Sequence, residues 1–309
     1  MVCIKEFLKK IFPLPVKTFM REINYLKVEL KTNRKNIVKI HDILEISMKN
    51  QEIMLNLIKR QQDIIKEFQQ RNHEISNKIV QNSNKSVRNT DEIIWAEIFN
   101  NTITNSIWLN NKSFSPGRWA VGYQYLYVVY RILNEVKPKK ILELGLGQST
   151  RLISQYAMSD SEVQHTIVEH DPEWISFFKS DFRLPSNSKI LQLHRDYKVY
   201  REDDKVLSFV DFKKNLYDQK FDFISIDAPL GGNAVIYSRV DILDILPECL
   251  SESFIIVVDD FNRRGEKQMV KILEAVLSQN NIPFCKGIYS GAKDCLVISS
   301  LNLKFVCTM

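Results

Sequence analysis

The residues of this chain best suited to chemistry are acids that each stand at the end of a short apolar run. Glu143 precedes Gly145 and Gly147 in Lys139-Lys140-Ile141-Leu142-Glu143-Leu144-Gly145-Leu146-Gly147-Gln148-Ser149-Thr150-Arg151. Glycine at 145 permits a sharp turn, and glycine at 147 removes a Cβ where a ligand must come close. The N–H groups that follow, at a helix start carrying Ser149, face whatever lies above the strand end. Glu143 suits an ammonium, and Glu169, closing Gln164–Glu169, suits a pair of ribose hydroxyls. Asp196 or its neighbour His194 follows a third run and could approach an adenine edge. Asp227 opens the turn Asp227-Ala228-Pro229-Leu230-Gly231-Gly232, and Asp259-Asp260 close a fifth run. Unpaired buried charges are costly, so acids at five strand ends speak for a binding site. Asp171, directly before Pro172, is better explained as a helix cap.

Glycine loops of this kind occur in dinucleotide enzymes and in S-adenosylmethionine (SAM) enzymes. A dinucleotide fingerprint wants a third glycine where this chain has Thr150. The acid-x-Gly-x-Gly pattern of Glu143, Gly145 and Gly147, with Glu169 after it, resembles the class I SAM-dependent methyltransferase superfamily over roughly the last two-thirds of the chain. The resemblance implies a Rossmann-like seven-stranded α/β sheet with helices on both faces. It implies SAM as cofactor, with Glu143, Gly145, Gly147, Ser149, Glu169 and Asp196 as its binding residues. Methyl transfer to a hydroxyl needs an in-line acceptor and a base for its proton. Asp227 is the first candidate for that base or orienting group; His194 and His170 are alternatives. Catechol-type methyltransferases hold magnesium with an acid after strand four and an Asp-Asn pair after strand five. Asp227, Asp260 and Asn262 resemble that set, but Phe261 splits the pair, and no metal is assigned. Thr166–Ile175 and the Asp-x-Pro turn at Asp227 are locally similar to plant glucuronoxylan 4-O-methyltransferases, although Ala228 stands where theirs have glycine. That likeness implies a sugar or glycan hydroxyl as acceptor. The competing readings are a nicotinamide-dependent oxidoreductase or epimerase, and a non-catalytic coiled-coil adaptor.

The elements that must position these residues follow from hydrophobic periodicity. Strands are expected at 140–145, 165–169, 189–193, 221–226, 254–259, 283–289 and 294–300, and helices at 149–158, 172–180, 235–248 and 265–279. The last two strands are joined by the short turn Ser290-Gly291-Ala292-Lys293. A closing hairpin fits the methyltransferase sheet, whose last strand is antiparallel, and not a dinucleotide domain. Residues 91–138 form a helical segment before the first strand, in which Arg118, Trp119 and Tyr123 could line a substrate mouth.

Residues 16–82 hold a heptad pattern without glycine or proline, with Ile23, Leu30, Ile37, Leu44, Ile58 and Ile65 in one register and Leu26, Ile40, Met54 and Phe68 three residues later. That persistence predicts a long coiled coil and self-association as a dimer or trimer. Polar residues 83–90 suggest a hinge, so the organisation read here is 1–15, 16–82, 83–90, 91–138 and 139–309. The 309 residues carry a net charge of +6, but residues 1–90 hold 18 Lys and Arg against 9 Asp and Glu. The catalytic part is therefore mildly acidic, which argues against a nucleic-acid partner. Residues 1–15, with Ile4, Phe7 and Leu8 among lysines, could lie on a membrane surface or fold back on a partner helix. Cys3, Cys249, Cys285, Cys295 and Cys307 form no CxxC pair and read as reduced thiols of a cytoplasmic protein.

Overall fold

The computed structural model describes residues 4, 6–7, 16–117, 120–201, 204–231 and 236–309. Two compact units divide the chain, residues 1–80 and 81–309. Helix α1 runs from Val16 to Ile103. In the first unit its heptad residues are open to solvent, Leu30, Ile37 and Leu44 among them. No helix among the described residues is long and apolar enough to cross a membrane. Of the amino-terminal apolar residues, Ile4 and Phe7 are exposed; Val2, Leu8, Ile11 and Phe12 lie outside the described residues.

The hinge expected at 83–90 is helical. Its residues are polar, but none is glycine or proline, so nothing in the backbone chemistry stops the helix. Thr90 donates its hydroxyl to the Ser86 carbonyl one turn back, as a residue inside a helix does. The last turns of α1 are tied to the distant turn at 290–294. Arg88 donates to the Gly291 carbonyl and to Asp294, and Trp95 Nε1 to the Ser290 carbonyl at 2.7 Å. Glu92 accepts from the Tyr123 and Ala292 N–H groups at 2.7 and 3.1 Å.

The remaining elements are α2 (Tyr123–Arg131), β1 (Lys140–Leu144), α3 (Gln148–Ser159), β2 (Gln164–Glu169), α4 (Pro172–Asp181), β3 (Ser188–Gln192), β4 (Arg195–Tyr200), β5 (Asp204–Phe209), α5 (Phe212–Leu216), β6 (Phe221–Ile226), β7 (Leu250–Val258), α6 (Arg264–Gln279), β8 (Phe284–Ser290) and β9 (Asp294–Ser300). Seven strands form one sheet in the order β3-β2-β1-β6-β7-β9-β8. The first five are parallel, and β9 enters antiparallel between β7 and β8. This is the seven-stranded Rossmann-like sheet expected from the sequence, and it has no parallel sixth strand of a dinucleotide domain. Near-continuous apolar runs suit strands buried on both faces. Ile141, Phe223, Ile255 and Val257 pack with α2 and α3 on one side. Leu142, Ile224, Ile256 and Val258 pack with Met269, Leu273 and Leu277 of α6 on the other.

Two expectations are corrected. A separate hairpin, β4–β5, follows β3. The helix expected over 235–248 is only a short 3-10 turn at Val240–Asp244. Arg239, at φ +53°, turns the chain out of helical geometry just before it, and Asp241 spends its carboxylate on Ser208 and the Phe209 N–H.

Candidate active site

The strand order reverses between β1 and β6, where an open α/β sheet places its ligands. The ladder continues one residue past the strands. Gly145 N–H donates to the Val168 carbonyl, Asp227 N–H to Leu144, and Asp259 N–H to Ile226, at 2.9 to 3.0 Å. Gly145, Glu169, Asp227 and Asp259 therefore lie in one row, and a cleft of about 400 Å³ opens above part of it.

Gly145 adopts φ +106°, and a Cβ there would press on Ala228 at 3.1 Å. Both facts call for glycine. At Gly147 a Cβ would meet nothing within 4 Å, so the loop borders open space. Gly147 caps α3, and its N–H donates to the Thr150 hydroxyl at 2.9 Å. The residue that departs from the dinucleotide pattern thus closes the loop itself.

Glu169 is nearly buried in the cleft wall. Its Oε2 accepts from the Leu146 N–H at 3.1 Å, and its Oε1 from the His170 and Asp171 N–H groups. The carboxylate binds the glycine loop to the end of β2, and its remaining lone pairs can accept ligand hydroxyls. His170 lines the cleft beside it, with Nδ1 2.6 Å from Glu169 Oε1. Trp174 donates Nε1 to the Leu146 carbonyl at 2.7 Å and stacks on Phe177, and both rings border the cleft.

Glu143 takes a different place from the one expected. It is fully buried and does not border the cleft. Ser149 donates to its Oε1 at 2.6 Å, and His165 Nε2 lies 3.0 Å from its Oε2. Both oxygens are engaged, so Glu143 reaches the cleft only through Ser149, which lines it. His194 and Asp196 are exposed and stand away from the cleft. Asp196 accepts from its neighbour's N–H, at Tyr197, and borders a separate surface hollow with Lys198 and Lys213. The unforeseen hairpin is the reason: β4 begins at Arg195, and strand alternation sends Arg195 into the cleft and its neighbours outward. Arg195 lines the cleft with Nη1 buried and without a hydrogen-bond partner. Nothing in the sequence marked it, because a lone arginine in a polar run reads as surface.

Asp227 lies in the cleft, its side chain about 20% exposed. Burial and the neighbouring Asp259 push its carboxyl well above the usual carboxylate range, against the pull of Arg239 and Lys293. Burial likewise raises Asp259. Arg239, fully buried, stays charged because Asp227, Glu266, Asp260 and Asp259 surround it, although burial alone would favour its neutral form. The set that resembles a catechol-type metal site is not brought together: Asn262 is exposed and borders another hollow with Lys267 and Lys286. Asp259 converges with Asp227 and Asp260 instead. The chain bends at Asp260, φ +57°, so 259 and 260 turn inward and 262 outward.

Of the expected mouth residues, Tyr123 packs near Phe99 and does not line the cleft, while Arg118 and Trp119 lie outside the described residues. The same segment contributes Ser115, Gly117, Ala120 and Val121.

No family model matches this chain, and no curated protein matches it. Solved structures do resemble it. The SAH-bound Podospora anserina methyltransferase PaMTH1 is 17% identical, covering 66% of this chain and 86% of its own, with a TM-score of 0.40. An O-methyltransferase from Bacillus cereus, in complex with SAH, is 14% identical over 68% of this chain and 90% of its own, with a TM-score of 0.40. The O-methyltransferase TomG from Streptomyces achromogenes, in complex with SAM, is 13% identical over 59% and 81%, with a TM-score of 0.42.

Proposed function

We propose that this chain is a SAM-dependent methyltransferase acting on oxygen, with a sugar or glycan hydroxyl as its acceptor, and that α1 assembles it into a homo-oligomer. The observation that carries the reading is the meeting of the Gly145–Gly147 loop and the Glu169 carboxylate in one cleft over the strand-order switch. The residues present fit the cofactor. Gly147 leaves open space, Glu169 offers acceptor capacity for the ribose, and the start of α3 presents N–H groups. Bound SAM supplies a methyl group already activated by its sulfonium.

The chain's own residues then have separable tasks. Glu169 orders the loop and takes hydroxyls. Glu143 and His165 hold Ser149 at the cleft floor. Asp227 faces the same cleft from β6, where it can orient an acceptor hydroxyl and accept its proton. A base is most useful when its pKa is near the working pH, and the raised carboxyl of Asp227 moves in that direction. Trp174, Phe177, Val121 and Leu230 give the cleft an apolar border. The exposed heptad residues of α1 support assembly, since an isolated helix gains little stability without a partner for its apolar stripe. Several heads on one assembly suit a polymeric acceptor through effective concentration. Calorimetry with SAM and S-adenosylhomocysteine tests the reading; absence of heat and of any thermal shift with either ligand refutes it.

A further inference from the structure

Asp227, Asp259 and Asp260 bring carboxylate oxygens within 4.8 Å of one another, an arrangement a hard divalent cation would seek. Three basic side chains already lie among them: Arg263, with its Nη1 2.8 Å from Asp260 Oδ2, and two that reach further in. Arg239 Nη2 is 3.1 Å from Asp227 Oδ1 and 2.8 Å from Asp260 Oδ2. Its Nη1 donates to the Asp259 carbonyl at 2.9 Å, and its Nε lies 3.6 Å from Glu266 Oε1. Lys293 Nζ is 3.4 Å from Asp259 Oδ2 and 3.6 Å from Asp260 Oδ1, and it donates to the Ala120 carbonyl at 2.9 Å. Magnesium binds carboxylate oxygens at about 2.0–2.1 Å in octahedral geometry. A guanidinium fork at hydrogen-bond distance from the same oxygens takes the lone-pair directions such an ion would use.

Access points the same way. A metal that orients an acceptor needs an open position facing the cleft. Asp259 and Asp260 are buried, and of the three acids only Asp227 borders the cleft. Asp259 Oδ1 has no hydrogen-bond donor, but it is sealed in with the rest.

We infer that Arg239 and Lys293 are positioning residues that stand in place of a divalent ion. They neutralise the strand-end carboxylates and hold Asp227 toward the cleft, so the acceptor is taken as a single hydroxyl and not as a chelating pair of oxygens. The statement about the acceptor rests on the methyltransferase reading; the placement of the cations does not.

The test uses the full chain and Mn²⁺ alone. Wild-type protein at equal concentration is expected to leave the six-line EPR signal of Mn²⁺ at full amplitude, and Mn²⁺ is expected to leave its Tm unchanged. Lys293→Met keeps the bulk and removes one charge; its Tm is expected to fall and to recover with Mn²⁺, with loss of EPR amplitude as the ion binds. Lys293→Arg, which keeps the charge, is expected to behave as wild type. A wild-type protein that quenches the signal, with Asp260→Asn restoring it, overturns the inference. So does a Lys293→Met protein that keeps the wild-type Tm and leaves the signal whole. Should Lys293→Met fail to fold, the wild-type titration still decides. SAM calorimetry on the same samples reports on the methyltransferase reading separately, so failure of either is distinguishable.

Discussion

Replacing Glu169 by alanine should weaken SAM binding far more than it weakens the fold. A carboxylate that accepts both ribose hydroxyls makes two charge-assisted hydrogen bonds, each worth about 1.5–3 kcal/mol. Together they amount to about 3–6 kcal/mol, or about a hundred- to ten-thousand-fold in Kd at 1.4 kcal/mol per tenfold. The structure favours the lower end, because the same oxygens already accept the N–H groups of Leu146, His170 and Asp171. Losing them also unpins the glycine loop, so a modest fall in Tm should accompany the loss of affinity. Glu169→Gln retains one neutral acceptor and should fall between the two. Titration calorimetry with SAM and S-adenosylhomocysteine, run beside thermal unfolding, separates binding from stability. A folded Glu169→Ala protein whose Kd stays within about threefold of wild type would refute the ribose assignment, since even one lost hydrogen bond should exceed that.

Asp227→Asn should lower kcat by about a hundred- to ten-thousand-fold, as removal of a general base does, and leave SAM affinity nearly intact; unchanged turnover would exclude it as the base. Because a base must be deprotonated to act, activity should rise with pH through the raised range of the Asp227–Asp259 pair. That acid limb should therefore lie above the ordinary carboxylate range, and a limb near pH 4 in the rate profile would contradict the burial argument. Ile37→Asp with Leu44→Asp should convert the proposed assembly to monomer in sedimentation velocity, since burying each such side chain contributes about 1.5–3 kcal/mol; an unchanged sedimentation coefficient would place assembly elsewhere. Glu92→Ala should cost about 1–3 kcal/mol for the part-buried Tyr123 N–H left without its acceptor, and less for the exposed Ala292 N–H that water can reach, read as a lower denaturation midpoint. An unaltered midpoint would mean those bonds are not maintained in solution.

The sheet was legible because its central strands are apolar runs with few interruptions, such as Phe221–Ile226 and Phe254–Val258, flanked by turn residues. The hairpin β4–β5 was not, because Arg-Asp-Tyr-Lys-Val-Tyr at 195–200 is polar and half exposed, so no buried face marks it. Residues 235–248 misled for the opposite reason: Val240, Ile242, Ile245 and Leu246 are spaced as in a helix, yet they bury themselves from a 3-10 turn and a loop. At the site, Gly145, Gly147 and Glu169 could be picked out together because each stands at a strand end or in the turn after it, and the structure brings the three to one cleft. Glu143 carried the right residue type into a deeper position, since strand alternation turns it toward Ser149 and His165. Arg239 and Lys293 matter through contacts with residues distant in sequence, as between Arg239 and Asp260, and lone basic residues carry no local sign of that.

The bonds from Arg88, Glu92 and Trp95 to the 290–294 turn have a practical corollary for anyone trimming this protein. A recombinant piece cut at residue 139, where the first strand begins, would discard the brace that steadies the loop bearing Lys293, along with Ala120 that its ammonium grips. The smallest fragment worth expressing starts upstream of Arg88, near residue 81. The final turns of the helix belong to the chassis of the second unit, whatever its earlier turns are found to carry.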